Sequence, residues 1–298
     1  MDKIINGKEI STQIQTELRQ RWENWSQQHP QSRPPHLAAV LVGNNPASEA
    51  YVGNKAKACA FVGFQSTLLH FEQQISQADL LAEIEKLNQR ADIDGFIVQL
   101  PLPARIDEQK IIAAIAPDKD IDGFHPLNLG KIILGRPLFI PATPLGILEL
   151  LRAAKVETKG KKVVVVGRSN IVGTPISLLL SRSAEIGNST VTLCHSHTQN
   201  LQAETLQADI LIAAIGKPLF IKADMVKKDA VVIDVGINSI PDSSQKRGFR
   251  LVGDVDFDSV LPIASRITPV PGGVGAMTVT ALLLNTWTAF CANNRIIG

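Results

Sequence analysis

Short runs of almost unbroken apolar residues, separated by stretches of helical periodicity, limit what this chain can become. They are Leu37–Val42, Gly95–Leu100, Lys162–Val166, Thr190–Cys194, Asp209–Ala214 and Ala230–Val235. A strand with one solvated face alternates apolar and polar residues; these do not, so both of their faces are expected to be buried. Such strands belong to parallel sheets covered by helices on each side. The expected fold class is therefore α/β.

With 45% hydrophobic and 19% charged residues, 298 residues can bury a sizeable core in two domains or one large unit. The Pro-rich stretch Ile140–Pro144 marks a boundary. One domain is expected over 145–277, the other over 1–144 with 278–298. Asn45 and Pro46 read as N-cap and first residue of a helix that Gly63 ends. Further helices are expected over Gln77–Arg90, from Leu145 to Ala154 and over Thr278–Phe290. The last carries Val279, Leu282, Leu283, Trp287 and Phe290 and can return to the first domain, since chain ends often lie close together. Residues 182–188 and 241–248 read as loops.

Lys and Arg total 30 against 28 Asp and Glu, a net charge of +2, which gives nucleic-acid binding no electrostatic support. Cys59, Cys194 and Cys291 form no CxxC pair, which favours a reducing cytosol over disulfides or zinc. The first residues lack the apolar core of a signal peptide, and no unbroken apolar run approaches the ~18 residues of a membrane span. A cytoplasmic protein without membrane partners is expected.

Strand Lys162–Val166 runs directly into Gly167-Arg168-Ser169-Asn170-Ile171-Val172-Gly173. A strand, a tight turn and a helix start place a pyrophosphate against helix N–H groups. Ser169 stands where the usual fingerprint has its second glycine, and ordinary strand-to-helix turns also carry two glycines. The next strand ends in Cys194-His195-Ser196-His197-Thr198, without the carboxylate that binds a ribose 2′-OH. Hydroxyl and imidazole groups together with Arg168 suit a 2′-phosphate, hence NADP; they also suit a solvated loop. Gly236, in Asp234–Asn238, allows a close approach to nicotinamide or serves an ordinary turn.

In the other half, Tyr51 and Lys55 are four residues apart on one helix face. A ring beside an amine fits a planar substrate that needs proton transfer; a surface pair with a snorkelling lysine fits the same spacing. Gln99 interrupts the apolar segment Phe96–Pro103 at a strand's carboxyl end. A buried amide left unpaired costs ~1–3 kcal/mol, so it requires a specific partner. Asp118, Asp120 and Asp122 alternate before a Gly123 turn signal, and no metal-ligand spacing accompanies them. Pro271-Gly272-Gly273-Val274-Gly275 precedes the final helix, where backbone can approach a ligand.

Taken in order, YVGNKAKAC (51–59), DGFIVQLPLP (94–103), KDIDGFHPLNLG (119–130), VVVVGRSNIVGTP (163–175), TVTLCHSHT (190–198), DVGIN (234–238) and TPVPGGVGAMT (268–278) closely resemble one family. It is the bifunctional methylenetetrahydrofolate dehydrogenase/methenyltetrahydrofolate cyclohydrolase family, and the resemblance spans essentially the whole chain. It implies a folate-binding domain, a Rossmann-type doubly wound domain with a cleft between them, NADP as cofactor, no metal and a homodimer. Lys55 is implied as the central catalytic group, with Tyr51 stacking on folate, Gln99 bonding Lys55 and Asp122 binding the pterin. Val98, Leu100, Pro271, Gly272, Gly273 and Gly275 are implied to line the folate site. Gly167, Arg168, Ser169, Ile171, Gly173, Ser196, Thr198 and Ile237 are implied around the dinucleotide. Ala142 and Ala276 stand where the family commonly has other residues, cysteine and proline respectively; loss of that proline is expected to loosen the last loop slightly. A silent dinucleotide sensor would need only the second half and would leave Gln99 and the 268–278 loop unexplained.

Overall fold

The computed structural model describes residues 3–245 and 248–294. Two compact units divide the chain, Thr12–Ala142 with Val279–Gly298, and Met1–Ser11 with Thr143–Thr278. The first eleven residues, expected with the first block, thus group with the dinucleotide half. There Ile5 N–H donates to Ile267 O at 2.9 Å and Lys8 N–H to Gly272 O at 3.0 Å.

In chain order the first half gives α1 (Gly7–Gln28), β1 (His36–Val42), α2 (Pro46–Val62), β2 (Gln65–Phe71), α3 (Gln77–Gln89), β3 (Gly95–Val98), α4 (Glu108–Ala114) and α5 (Pro126–Ile133). Its three strands form a parallel sheet in the order β2-β1-β3. β1 and β3 are the expected apolar runs and are buried throughout. β2 was not expected, because this edge strand, Gln65–Phe71, is largely exposed and mixes polar with apolar residues instead of forming an apolar run.

α2 begins and ends as its sequence indicates. Asn45 Oδ1 accepts the Ser48 N–H at 3.3 Å. Gly63, at φ +78°, donates to Ala60 O while Phe64 N–H donates to Cys59 O, the paired bonds of a glycine-terminated helix. Phe96 and Val98 of β3 join Val40 of β1 and Leu80 and Ile84 of α3 in one core cluster.

The second half contains α6 (Ala142–Ala153), β4 (Lys162–Val166), α7 (Gly173–Ser181), β5 (Thr190–Cys194), α8 (Leu201–Thr205), β6 (Ile210–Ala213), β7 (Val231–Asp234), β8 (Asn238–Pro241), β9 (Phe249–Val252), α9 (Phe257–Val260), β10 (Arg266–Ile267) and α10 (Val274–Asn293). A five-stranded parallel sheet runs β10-β7-β6-β4-β5. From β4 the chain proceeds first to one side and then to the other, so strand order reverses beside β4, where ligands collect in open α/β sheets. The expected loop 241–248 is the tip of the antiparallel hairpin β8–β9, with Lys246 and Arg247 outside the described residues.

By length and hydropathy α10 could cross a membrane. It is instead a core helix of this structure. Leu282, Leu283 and Phe290 are buried, as are the polar Thr280, Asn285 and Thr286, which a lipid-facing helix would not conceal along one side. Phe290 meets Trp22 of α1 edge-on at 5.9 Å between centroids.

Candidate active site

Within the first unit, α2 presents a buried stripe of Ser48, Val52, Lys55, Cys59 and Val62, at the spacing of one helix face. Lys55 is the charged member, only 8% exposed. It is no surface amine. Ala56 and Ala60, though close in sequence, are exposed on the other side of the helix; Cys59 and the rest of the stripe shield the amine. Burial pushes the Cys59 thiol up to about 12, which shows how apolar this face is.

The Lys55 Nζ donates to Gln99 Oε1 at 2.9 Å, and Gln99 Nε2 donates to Leu100 O at 2.7 Å. Each half of the amide is therefore spoken for, and the acceptor is fixed toward the amine. Gln99 follows β3, whose side chains alternate between faces. Val98 and Leu100 consequently point the other way, into or against the core cluster with Leu80 and Ile84. They leave only main-chain atoms to meet a ligand beside Gln99.

Desolvation lowers the Lys55 pKa, partly opposed by the charge of Asp122. Asp122, itself pushed up to about 6 by desolvation against the pull of Lys55, completes an amine–carboxylate pair in which each group eases the ionisation of the other. Tyr51, one turn before Lys55 on α2, is exposed and open to stacking.

The three acids 118, 120 and 122 separate by role. Asp118 is exposed. Asp120 is buried and structural: its carboxylate accepts from the Phe124 N–H, the His125 N–H and Asn128 Nδ2. Asp122 is held by its backbone, for its carbonyl accepts the Ala142 N–H at 3.3 Å, and Gly123 (φ +73°) lies so close to Ile140 and Pro141 that a Cβ would reach 2.7 Å from Pro141 N. Asn285 of α10 fixes the neighbouring peptides, donating from Nδ2 to Ile121 O at 2.7 Å and Ile140 O at 2.9 Å. Sequence reading missed Asn285, although a lone amide among apolar residues was the same signal that singled out Gln99.

In the second unit, the turn after β4 is drawn tight. Gly167 has φ +121°, and a Cβ there would collide with Ala214 O at the end of β6. A Cβ on Gly173, at the start of α7, would collide with Gly167 O. Ser169 Oγ accepts the N–H groups of Val172 and Gly173 at 3.2 and 3.4 Å, so the serine in the second glycine's place closes the turn. Arg168, Ser169, Ile171 and Ser196 are exposed. Thr198 Oγ1 is engaged locally, accepting the His195 N–H at 2.8 Å. Arg168 follows β4, and His195 and His197 follow β5, at the strands' carboxyl ends; partial desolvation lowers the His195 pKa, and the positive charges of Arg168 and His197 add to the fall. The donor set there is cationic and hydroxylic without a carboxylate, which fits a dinucleotide carrying a 2′-phosphate.

Ile237, after β7, is exposed, and a Cβ at Gly275 would stand 3.0 Å from its Cδ1. The 271–275 loop thus shares its unit with the dinucleotide residues. Ala276 N–H donates to Gly273 O at 3.3 Å, a bond the family's proline could not make, so this substitution adds a tie to the loop. A separate cavity of about 310 Å³, lined by Lys155, Asp209, Lys227 and Arg266, lies at the amino ends of the same strands, opposite the end where such sheets bind ligands.

Comparison with known proteins agrees with this geometry. Residues 5–122 match the catalytic domain, and residues 141–294 the NAD(P)-binding domain, of tetrahydrofolate dehydrogenase/cyclohydrolase. The bifunctional protein FolD of Cytophaga hutchinsonii is 55% identical over 95% of this chain and 97% of its own. The crystal structure of the bifunctional FolD methylenetetrahydrofolate dehydrogenase/cyclohydrolase of Campylobacter jejuni is 42% identical with a TM-score of 0.89, covering 98% of this chain and 99% of that one. A Trypanosoma brucei dehydrogenase-cyclohydrolase solved with NADP and an inhibitor is 37% identical with a TM-score of 0.92, covering 98% of each chain.

Proposed function

The chain belongs to the tetrahydrofolate dehydrogenase/cyclohydrolase family, and from that premise we propose which of its residues carry the chemistry. It oxidises 5,10-methylenetetrahydrofolate to 5,10-methenyltetrahydrofolate with NADP and hydrolyses that product to 10-formyltetrahydrofolate. The observation that carries the residue assignment is the buried Lys55 amine held on Gln99 within electrostatic reach of Asp122.

When bound, NADP would supply the hydride acceptor for the bridging CH₂. Gly167, Arg168, Ser169, Ile171, Gly173, Ser196, Thr198 and Ile237 are the residues to hold it, Arg168 and Ser196 at the 2′-phosphate. Tyr51 stacks on the folate, and Asp122 accepts hydrogen bonds from the pterin. Main-chain atoms of Val98 and Leu100, with Pro271, Gly272, Gly273 and Gly275, complete the contacts to it.

In the hydrolytic step, water adds to the electrophilic methenyl carbon. The neutral fraction of Lys55, enlarged by desolvation, takes a proton from that water. The ammonium then delivers it to N5 as the N5–carbon bond breaks, and the adduct's hydroxyl proton leaves to solvent. Gln99 keeps the amine aimed throughout.

Absorbance during turnover, with NADP and NAD in parallel and the pH varied, tests this reading. NADPH is expected to appear without lasting methenyl accumulation. No reduced cofactor with either dinucleotide would sink the assignment. Asp122 titrates near 6 in the folded chain, above the ordinary carboxylate value of about 4. Its contribution to stability is therefore present below about pH 4 and lost as pH rises through 6. Folate binding runs the other way: KM should rise as pH falls below about 6, when the carboxylate acceptor is protonated.

We further propose a homodimer in the cytoplasm, with no nucleic-acid or membrane partner. The hairpin β8–β9 exposes Phe249 and Leu251, which supports a covering partner. The free cysteines and the net charge of +2 support the rest. A light-scattering mass of one 32.2 kDa chain would overturn the dimer.

A further inference from the structure

Two carboxylates lie buried together in the dinucleotide unit, and the chemistry above uses neither. Asp234 ends β7 and is 3% exposed; Asp254, just after β9, is fully buried. Asp234 Oδ1 accepts the N–H groups of Gly236 and Asp254 at 3.0 and 2.9 Å, and its Oδ2 accepts that of Val255 at 3.0 Å. Asp254 Oδ2 accepts the N–H groups of Ile215 and Gly216 at 2.6 and 2.9 Å, and its Oδ1 accepts Asn238 Nδ2 at 2.9 Å. No slack remains around them. A Cβ on Gly236 would collide with Asp254 Oδ1, and one on Gly253 with Asp234 Oδ2. Gly236 is therefore required by a buried carboxylate, a reason its sequence context did not suggest.

Backbone and amide N–H groups, with no cation among these hydrogen-bond partners, compensate both acids. Burial pushes Asp234 up to about 7, the neighbouring Asp254 adding to the rise. Apolar side chains in their place would leave the backbone N–H groups of Ile215, Gly216, Gly236, Asp254 and Val255 without acceptors, so the two acids fix where those peptides sit. The groups it ties are the loop after β6 (Ile215–Gly216) and the loop after β7 (Gly236–Asn238). These strands are neighbours, and ligands bind at the carboxyl ends of such strands. Ile237 stands between the two tied residues of the second loop.

We propose that Asp254 is a positioning residue for the dinucleotide. It sets the spacing of the Ile215–Gly216 and Gly236–Asn238 loops that the cofactor meets, and Asp234 holds Asp254 by its main chain. This rests on the NADP reading above.

Calorimetry of NADP and, separately, of tetrahydrofolate binding to wild type and Asp254→Asn tests it. Asparagine preserves shape but replaces one acceptor oxygen by an amide NH₂, which donates and cannot receive an N–H. The NADP Kd should rise about tenfold to a hundredfold, the usual range for leaving a buried N–H donor without its acceptor. The tetrahydrofolate Kd should stay near its wild-type value. Equal weakening of both ligands would mean a general structural role and overturn the proposal, as would an unchanged NADP Kd. Wild type that fails to bind NADP would instead sink the cofactor reading itself. Should Asp254→Asn not fold, Asn238→Ala removes only the donor to Oδ1. It should weaken NADP alone, by about threefold or more, and an unchanged Kd there also overturns the proposal.

Discussion

Replacing Lys55 with methionine should abolish methenyltetrahydrofolate hydrolysis while leaving measurable hydride transfer. Methionine fills nearly the same volume, so the stripe of Val52, Cys59 and Val62 stays packed and the change isolates the amine. What disappears is the buried amine whose pKa desolvation lowers, the group assigned to take and return the proton. General acid–base catalysis contributes about 10²–10⁴-fold, and the hydrolytic rate should fall by that order. Oxidation needs alignment more than proton transfer and should persist at a reduced rate. Methenyl absorbance will then accumulate during turnover where wild type shows none.

The same variant carries an internal check. Lys55 opposes the rise of the Asp122 pKa, so without it the fall in folate binding toward acid should begin above pH 6. Lys55→Arg should not restore hydrolysis, because guanidinium does not deprotonate at working pH. Hydrolysis at the wild-type rate in Lys55→Met would end the role assigned to this residue.

Substituting Gly173 by alanine should remove the dehydrogenase activity and spare the hydrolysis of supplied methenyltetrahydrofolate. The new Cβ would occupy the space of Gly167 O and approach Arg168 N to 3.0 Å, so α7 must retreat from the turn after β4. Overpacking against side chains costs about 1–3 kcal/mol; here the obstacle is backbone that is itself pinned, since Gly167 abuts Ala214 O. Ser169 Oγ would lose the N–H groups of Val172 and Gly173 as the helix withdraws. NADP affinity should fall about a hundredfold or more, read directly by calorimetry, in keeping with the close helix–strand packing this glycine permits. Because Lys55, Gln99 and Asp122 belong to the other unit, hydrolysis should continue. Unaltered NADP binding would show that the turn is not where the cofactor's phosphates rest.

Much of this architecture could be read from residue order because the physics was local. Apolar runs became buried parallel strands, Asn45 and Gly63 bounded α2, and Gly167 and Gly173 formed a tight turn. Gln99 betrayed itself as a polar residue in an apolar strand. Strand β2 escaped because edge exposure gave it a mixed composition. Nearness in number does not tell which neighbours shield Lys55: Ala56 and Ala60 lie on the exposed face, while Val52, Cys59 and Val62 share its side of the helix. The distinct duties of Asp120 and Asp122 depend on Asn128 and on peptide N–H groups that fold back on the first acid, information alternation does not contain. The pairing of Asp234 with Asp254 joins segments twenty residues apart across a hairpin, and spacing alone gives no hint of it.

The bond from Asn285 to the Ile121 carbonyl has a consequence for the order in which this protein can be made. The two residues are 164 positions apart, and nearly the whole dinucleotide unit is encoded between them. At about 5–20 residues per second, a ribosome releases Asn285 on the order of ten to thirty seconds after Ile121. Throughout that interval the segment bearing Lys55, Gln99 and Asp122 lacks the helix that caps its core and fixes the peptide before Asp122. The second unit, encoded almost entirely within the gap, can therefore finish folding while the first, though synthesised earlier, must wait. The half of the enzyme that is translated first is the half that matures last.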